Sequence, residues 1–140
     1  MDNALVAAYQ SAEYAVCTDT EFVMLVDTYS PSLQRTMTEK QFTQAAFITA
    51  FNPYSEMLDV SENLKRHNAL SKELNDLGFD FLQGIGRDKD GQWQGEKSVL
   101  VLNITNDTAK FLGNKYGQNA IIWIEEDAIP QLLLLDGISV

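Results

Sequence analysis

The sequence predicts an α+β domain built around one antiparallel sheet, and three observations carry this prediction. The chain has 140 residues, of which 45% are hydrophobic, so it is long enough to bury a core. Extended apolar runs alternate with amphipathic helical segments along its length. No linker, low-complexity stretch or internal repeat interrupts this pattern, so we expect residues 1–140 to form a single domain.

The N-terminal part is predicted to form a short helix, a hairpin and a second short helix. Residues 3–10 are rich in alanine and favour a helix. Residues 13–18 and 22–28 are rich in Tyr, Val and Phe, and the polar segment between them is typical of a hairpin turn. Pro31 suits the first turn of a helix that continues to about Met37.

The rest of the chain is predicted to alternate between strands and helices. The predicted elements are strands 46–51, 79–85, 98–104 and 120–124 and helices 60–77 and 105–116. Asp59 and Glu62 have the spacing of a capping box before the first of these helices, and Gly78 ends it. Gly117 ends the second helix, and a last strand is predicted within 129–135.

This order of elements over residues 46–124 is that of a ferredoxin-like βαββαβ core with its helices on one face of the sheet. The N-terminal hairpin and the last strand would extend the sheet at its two sides. Another α+β sandwich with the same order of elements is the alternative. The strand directions of the ferredoxin-like arrangement bring four segments to one edge: 52–55, the first turns of helix 60–77, the predicted loop 86–97, and 117–119.

Seven residues on these segments are candidates for binding a small polar or anionic ligand. They are Asn52, Asn63, Arg66, Trp93, Glu96, Gln118 and Asn119. The apolar stripe of helix 60–77 turns polar at Asn63 and Arg66, and polar groups on an inward face need partners. Side-chain amides both donate and accept hydrogen bonds, and the planar fork of an arginine suits carboxylate or phosphate.

Several candidates also have a purely structural interpretation. Arg66 could form an internal ion pair with Glu62 or Glu96. Trp93 could pack over the hairpin. The side-chain amides of Gln118 and Asn119 could serve solely to stabilise a turn. His67 is expected to be a hydrogen-bonded or surface histidine rather than a catalytic base.

The composition excludes several kinds of site. One cysteine and one histidine exclude an intrachain disulfide, a four-cysteine zinc site and a two-histidine metal site. Asp88, Asp90 and Gly91 lack the further oxygen ligands of a calcium loop, so a hairpin turn explains them better. Gly84-Ile85-Gly86 lacks the third glycine of a dinucleotide site and suits a bulge. We therefore expect no cofactor and no metal, and we expect Cys17 to be a buried small hydrophobe.

The charge of the chain and the composition of its N-terminus indicate its expected location and partners. The net charge is −10, so a basic footprint for nucleic acid is absent. The first residues have no basic region and no long apolar core, and no segment approaches the ~20 apolar residues of a membrane span. We expect a cytoplasmic protein that contacts neither nucleic acid nor membrane, and whose sheet edges allow a homo-oligomer.

Four groups of residues also carry a resemblance to a known family. They are ITAFNP (48–53), Asn63 with Arg66, GIGRDKDGQW (84–93) followed by Glu96 and Ser98, and YGQNAIIWI (116–124). In combination they resemble an uncharacterised bacterial family catalogued as domain of unknown function 3293. The resemblance implies no activity, but its motifs lie on the same four segments that the topology brings together.

Three functions follow as hypotheses. The first is a binding or regulatory module that recognises a small polar or anionic ligand, or a protein, at this edge. The second is an enzyme that uses Glu96, Asp88 or Asp90 as general base, with Arg66 holding an anionic substrate. The third is an acidic antagonist of a DNA-binding protein. It is the weakest, because the negative charge is concentrated at the two ends of the chain and residues 47–124 are nearly neutral.

Overall fold

A computed structural model describes residues 3–90 and 95–135, which form one seven-stranded sheet and four α-helices. The strands are β1 (Glu13–Cys17), β2 (Glu21–Met24), β3 (Ala45–Thr49), β4 (Phe81–Arg87), β5 (Glu96–Leu102), β6 (Ala120–Ile124) and β7 (Gln131–Leu134). The helices are α1 (Asn3–Ser11), α2 (Pro31–Lys40), α3 (Val60–Leu77) and α4 (Asn106–Lys115), and a 3-10 turn spans Pro53–Ser55. The predicted α+β class is confirmed.

The strands lie in the order β2-β1-β4-β5-β3-β6-β7, and every neighbouring pair is antiparallel. Helix α3 connects β3 to β4 across β5, and α4 connects β5 to β6 across β3. Thr49 pairs with Ser98, and Phe47 pairs with Ile122. The end of β3 and the starts of β5 and β6 therefore meet at one end of the sheet.

The sheet separates two apolar layers, because alternate residues of a strand point to opposite faces. Leu70 of α3 and Leu112 of α4 pack with Ile48 and other residues on one face. Leu33 and Met37 of α2 pack with Phe47 and others on the opposite face. The two later helices thus share one face, as expected, but α2 covers the other face and the domain has three layers.

The ends of the helices follow local signals in the sequence. The side chain of Asp59 accepts a hydrogen bond from the backbone N–H of Glu62 at 2.8 Å, which satisfies a free donor of the first turn of α3. The Glu62 side chain pairs with Lys65 instead of completing the capping box. Gly78 ends α3 with φ 85°, a conformation that favours glycine.

Several boundaries and one burial expectation differ from the sequence analysis; strand β3, for example, spans Ala45–Thr49 rather than 46–51. Strand β2 ends at Met24, because the chain turns at Asp27, whose φ is 62°. Helix α2 runs beyond Met37 to Lys40, and β4 begins at Phe81 rather than at 79. Strand β5 begins at Glu96, which therefore lies in a strand and not in the predicted loop 86–97. Cys17, the last residue of β1, is exposed rather than buried.

No helix in the described part of the chain combines the length and the apolar character that a membrane crossing requires.

Candidate functional site

The connection from β3 to α3 is a strained turn. The backbone φ angles of Asn52, Tyr54 and Ser55 are 46°, 54° and 62°. These values lie in the left-handed region, which residues other than glycine rarely adopt. The backbone N–H of Tyr54 donates to the carbonyl of Gly117 at 2.6 Å, which fastens the turn to the loop after α4. A Cβ at Gly117 would lie 2.7 Å from the Cβ of Pro53, so this close approach requires glycine. Such strain persists only where the surrounding contacts fix it.

Two asparagines and one glutamate form a hydrogen-bonded network beneath this turn. Asn63 is only 4% exposed. Its Oδ1 accepts the backbone N–H of Asn52 at 2.8 Å, and its Nδ2 donates to Asn52 Oδ1 at 2.8 Å. Asn52 Oδ1 also accepts the backbone N–H of Leu58 at 3.0 Å, and Asn52 Nδ2 donates to Glu96 Oε2 at 2.8 Å. The network therefore joins the turn, the first turns of α3 and the start of β5.

Arg66 contacts backbone carbonyls instead of an acid. Its Nε donates to the carbonyl of Ala50 at 2.7 Å, and its Nη2 donates to the carbonyl of Tyr116. Among the described residues it forms no ion pair, so the predicted pairing with Glu62 or Glu96 is wrong. Its position joins the chain after β3 to the end of α4.

The amides after α4 bind the neighbouring loops. Gln118 is buried, and its Nε2 donates to the carbonyls of Phe51 at 3.1 Å and Tyr116 at 3.2 Å. Asn119 Nδ2 donates to the hydroxyl of Ser55 at 3.1 Å. Both amides therefore join the loop after α4 to the segment that follows β3.

Two neighbouring cavities lie at this end, between α1 and the sheet. The larger, of about 230 Å³, is lined by Leu5, Ala8, Tyr9, Asn52, Ser55, Met57, Glu96 and Gln118. The smaller, of about 50 Å³, is lined by Tyr9, Tyr14, Phe47, Thr49, Gly86, Glu96, Ser98, Gln118, Ala120, Ile121, Ile122 and Leu132. Tyr9, Glu96 and Gln118 line both cavities, so the two spaces adjoin each other.

Helix α1 forms the outer wall of these cavities. None of its residues is buried. The hydroxyl of Tyr9 lies 3.4 Å from the hydroxyl of Ser55, and the hydroxyl of Tyr14 donates to the carbonyl of Tyr9 at 2.6 Å. Burial raises the pKa of the Tyr14 hydroxyl, which therefore stays protonated and able to donate. These polar contacts fix α1 over the end of the sheet.

Glu96 determines the electrostatics of both cavities. Burial raises the pKa of its carboxyl, and the hydrogen bond from Asn52 opposes this effect without cancelling it. Neither cavity has a Lys, Arg or His among its described lining residues. Among the described residues, the site therefore presents a half-buried acid with no Lys, Arg or His in the walls of either cavity.

Six of the seven predicted site residues come together at this end of the sheet. Asn52, Glu96 and Gln118 line the cavities, while Asn63, Arg66 and Asn119 hold the surrounding segments in place. Trp93, the seventh, lies outside the described residues. The sequence analysis missed Tyr9 and Tyr14, and it named Ser98 only in a family motif and not as a site residue. Nothing in the short helix of residues 3–10 indicated that it would cover this end.

The other candidates for chemistry lie outside the cavities. The carboxylate of Asp88 accepts the backbone N–H of Asp90 at 3.4 Å in a turn, and neither acid lines a cavity. His67 is buried, and its Nε2 lies 3.2 Å from Gln83 Oε1. Burial lowers the pKa of His67, which keeps the imidazole neutral. Within residues 3–90 and 95–135, no group of three His, Cys, Asp or Glu side chains is arranged to hold a metal ion.

The fold and the site define a small α+β domain with two adjoining cavities at one end of its sheet. Residues 48–121 match the model of a family described as Protein of unknown function (DUF3293). This match covers more than half of the chain, which therefore belongs to that family. The chain matches no curated protein and no solved structure.

Proposed function

We propose that the chain is a binding module that takes a small polar ligand into the two cavities beneath α1. One observation carries the proposal: the carboxylate of Glu96 is half-buried, faces both cavities and has one oxygen held by Asn52 at 2.8 Å. A largely apolar concavity with a few fixed polar groups is the usual form of a small-molecule site.

The strained turn supports the proposal because it fixes the polar groups of the site before a ligand binds. Asn52 and Tyr54 adopt left-handed backbone conformations that cost on the order of 1–3 kcal/mol each. Strain of this kind clusters at functional sites, where it fixes groups in the geometry that the ligand needs. Groups held in place before binding lose less conformational freedom when the ligand arrives.

The ligand that this geometry favours is polar rather than anionic. The anionic ligand of the sequence analysis depended on Arg66, whose guanidinium donates to the carbonyls of Ala50 and Tyr116. The charged group that faces the cavities is instead the acid Glu96. Asn52, Glu96 and Gln118 are the proposed ligand-binding residues, and Asn63, Arg66 and Asn119 are their supports.

An enzyme that uses Glu96 as general base is the second candidate. Burial raises the pKa of Glu96, and perturbed carboxyls in cavities are candidates for acid–base catalysis. An enzyme would convert a bound ligand, whereas a binding module would release it unchanged. Mass spectrometry of a bound ligand before and after incubation with the protein separates the two.

We also propose that residues 46–124 form a ferredoxin-like core, as the order of predicted elements suggested. The neighbours β4-β5-β3-β6 in the sheet support this proposal. So does the packing of α3 and α4 on the same face.

Two tryptophan variants of α1 test the binding proposal. Ala8 lines the larger cavity, and Ala8→Trp places a bulky ring inside it. Ala7 is exposed on the same helix and lines neither cavity, so Ala7→Trp is the matched control. A ligand-observed NMR screen of small polar fragments should give hits with the native chain and Ala7→Trp that are lost in Ala8→Trp. Hits that survive in Ala8→Trp, or a screen without hits, would refute the proposal.

A further inference from the structure

The charges around the two cavities indicate what kind of ligand fits them. Glu96 is the one acid among the described residues that line either space, and none of these residues is a Lys, Arg or His. Asn52 donates to its Oε2, and within the described chain its other oxygen, Oε1, accepts no hydrogen bond from the protein. The second oxygen of this half-buried carboxylate is not enclosed by the protein, so it can accept a hydrogen bond from a donor that enters the cavity, and most of all from a charged donor.

An amine cation supplies what this carboxylate lacks. Burial raises the pKa of Glu96, and no Lys, Arg or His among the described residues that line the cavities offsets this effect. A protonated amine would bring that charge and a strong hydrogen-bond donor at once. An anion would face repulsion from the same carboxylate and from a chain whose net charge is −10.

The size and the apolar walls of the smaller cavity indicate which group the ligand carries beyond its charged end. Phe47, Ile122 and Leu132 give it apolar walls, and the ring of Tyr14 packs edge-on against Phe47 with centroids 5.5 Å apart. A space of about 50 Å³ has room for about three to five non-hydrogen atoms, because one water needs roughly 10–15 Å³. Glu96 lies where this space meets the larger cavity, so a short chain can enter while its polar end remains at the carboxylate.

We propose that the ligand class of this site is a small amine bound as its cation, with the ammonium group at Glu96 and a short apolar chain in the smaller cavity. This inference rests on the proposed binding function, since it names the ligand class of the same site. The larger cavity, of about 230 Å³, leaves room for further substituents on the side of the ammonium group.

Three probes of similar size and different charge test the inference on the full chain. Butylamine, butan-1-ol and butyrate are titrated at neutral pH, where the amine is a cation, and the amide signals of the protein are followed by two-dimensional NMR. Butylamine should shift the signals of Tyr9, Glu96 and Gln118 and bind about tenfold or more tighter than butan-1-ol, because its hydrogen bond is assisted by charge. Butyrate should bind weakest.

Two glutamate variants test whether Glu96 causes the preference for butylamine. Glu96→Gln keeps the shape of the side chain but removes its charge, so the preference for butylamine over butan-1-ol should disappear. Glu126→Gln removes the same charge at an exposed position outside both cavities and should keep the preference. The ranking of the three probes on the native chain does not depend on how well either variant folds.

The outcomes separate this inference from the proposed function. If butan-1-ol or butyrate shifts the same signals with equal or higher affinity, the site binds small molecules but the amine preference is wrong. If Glu96→Gln keeps the preference, Glu96 is not the counter-ion and the inference is refuted. If the native chain responds to none of the probes, both the inference and the binding of small ligands here are contradicted.

Discussion

Removing the Arg66 side chain should destabilise the fold, because its guanidinium holds two backbone carbonyls that belong to different segments. Nε donates to Ala50, in the chain that follows β3, and Nη2 donates to Tyr116, at the end of α4. A ligand clamp would instead direct the guanidinium into a cavity and contribute little to stability. The stability of Arg66 variants therefore distinguishes a structural role from a binding role.

The two hydrogen bonds give the expected magnitude. In Arg66→Ala, the carbonyl of the fully buried Ala50 loses its charged hydrogen-bond donor. A hydrogen bond from a charged group contributes about 1.5–3 kcal/mol to stability. The carbonyl of Tyr116 keeps a second donor, Gln118 Nε2 at 3.2 Å, so its loss is nearer the 0.5–1.5 kcal/mol of an ordinary bond. Arg66→Ala should thus lower the free energy of unfolding by about 2–4 kcal/mol. Arg66→Lys should lose about half of that, because one ammonium cannot reach both carbonyls well.

Urea unfolding followed by circular dichroism measures these changes. Lys65→Ala is the matched control, since Lys65 is the preceding residue and its pair with Glu62 is exposed, with side chains 73% and 54% accessible. It should cost less than about 1 kcal/mol. If Arg66→Ala costs no more than Lys65→Ala, the two hydrogen bonds do not stabilise the fold and the structural role of Arg66 is refuted.

Two further predictions concern the network beneath the turn. Asn63→Ala leaves the buried backbone N–H of Asn52 without its acceptor. It should therefore lower the free energy of unfolding, measured in urea, by about 2–4 kcal/mol. A loss below about 1 kcal/mol would show that the network does not stabilise the fold. Glu96→Gln should match the native stability well below pH 4.5, the ordinary pKa of a glutamate, and exceed it increasingly as the pH rises. The sign follows because the raised pKa of Glu96 makes its ionisation in the folded state unfavourable, a cost that begins above the unfolded pKa and levels off above the folded one. A stability difference that does not change with pH would contradict this account.

The parts of the fold that local signals control could be predicted from the sequence. Helix α3 spans Val60–Leu77 as predicted, because Asp59 caps its first turn and Gly78 ends its last. The placement of Asn52 and Gln118 at the same end of the sheet, where both line the larger cavity, followed from the order of the elements alone.

The parts that depend on distant partners could not be predicted. Glu96 was placed in a loop because its strand pairing depends on Gly86, and the sequence gives no sign of that register. Arg66 was a candidate for binding a ligand, with an internal ion pair as the alternative, but every residue has a carbonyl, so no pattern identifies the two that it binds. The position of α1, and hence of Tyr9 as a wall of the site, depends on tertiary contacts alone.

A crystal structure of the full chain soaked with a mixture of small polar fragments tests the central claim most directly. The account predicts electron density for a fragment beneath α1, with a polar atom within hydrogen-bond distance of Glu96 and an apolar part directed toward Phe47. Fragments bound only elsewhere, with Glu96 paired to a basic side chain of the protein and both cavities closed, would contradict it.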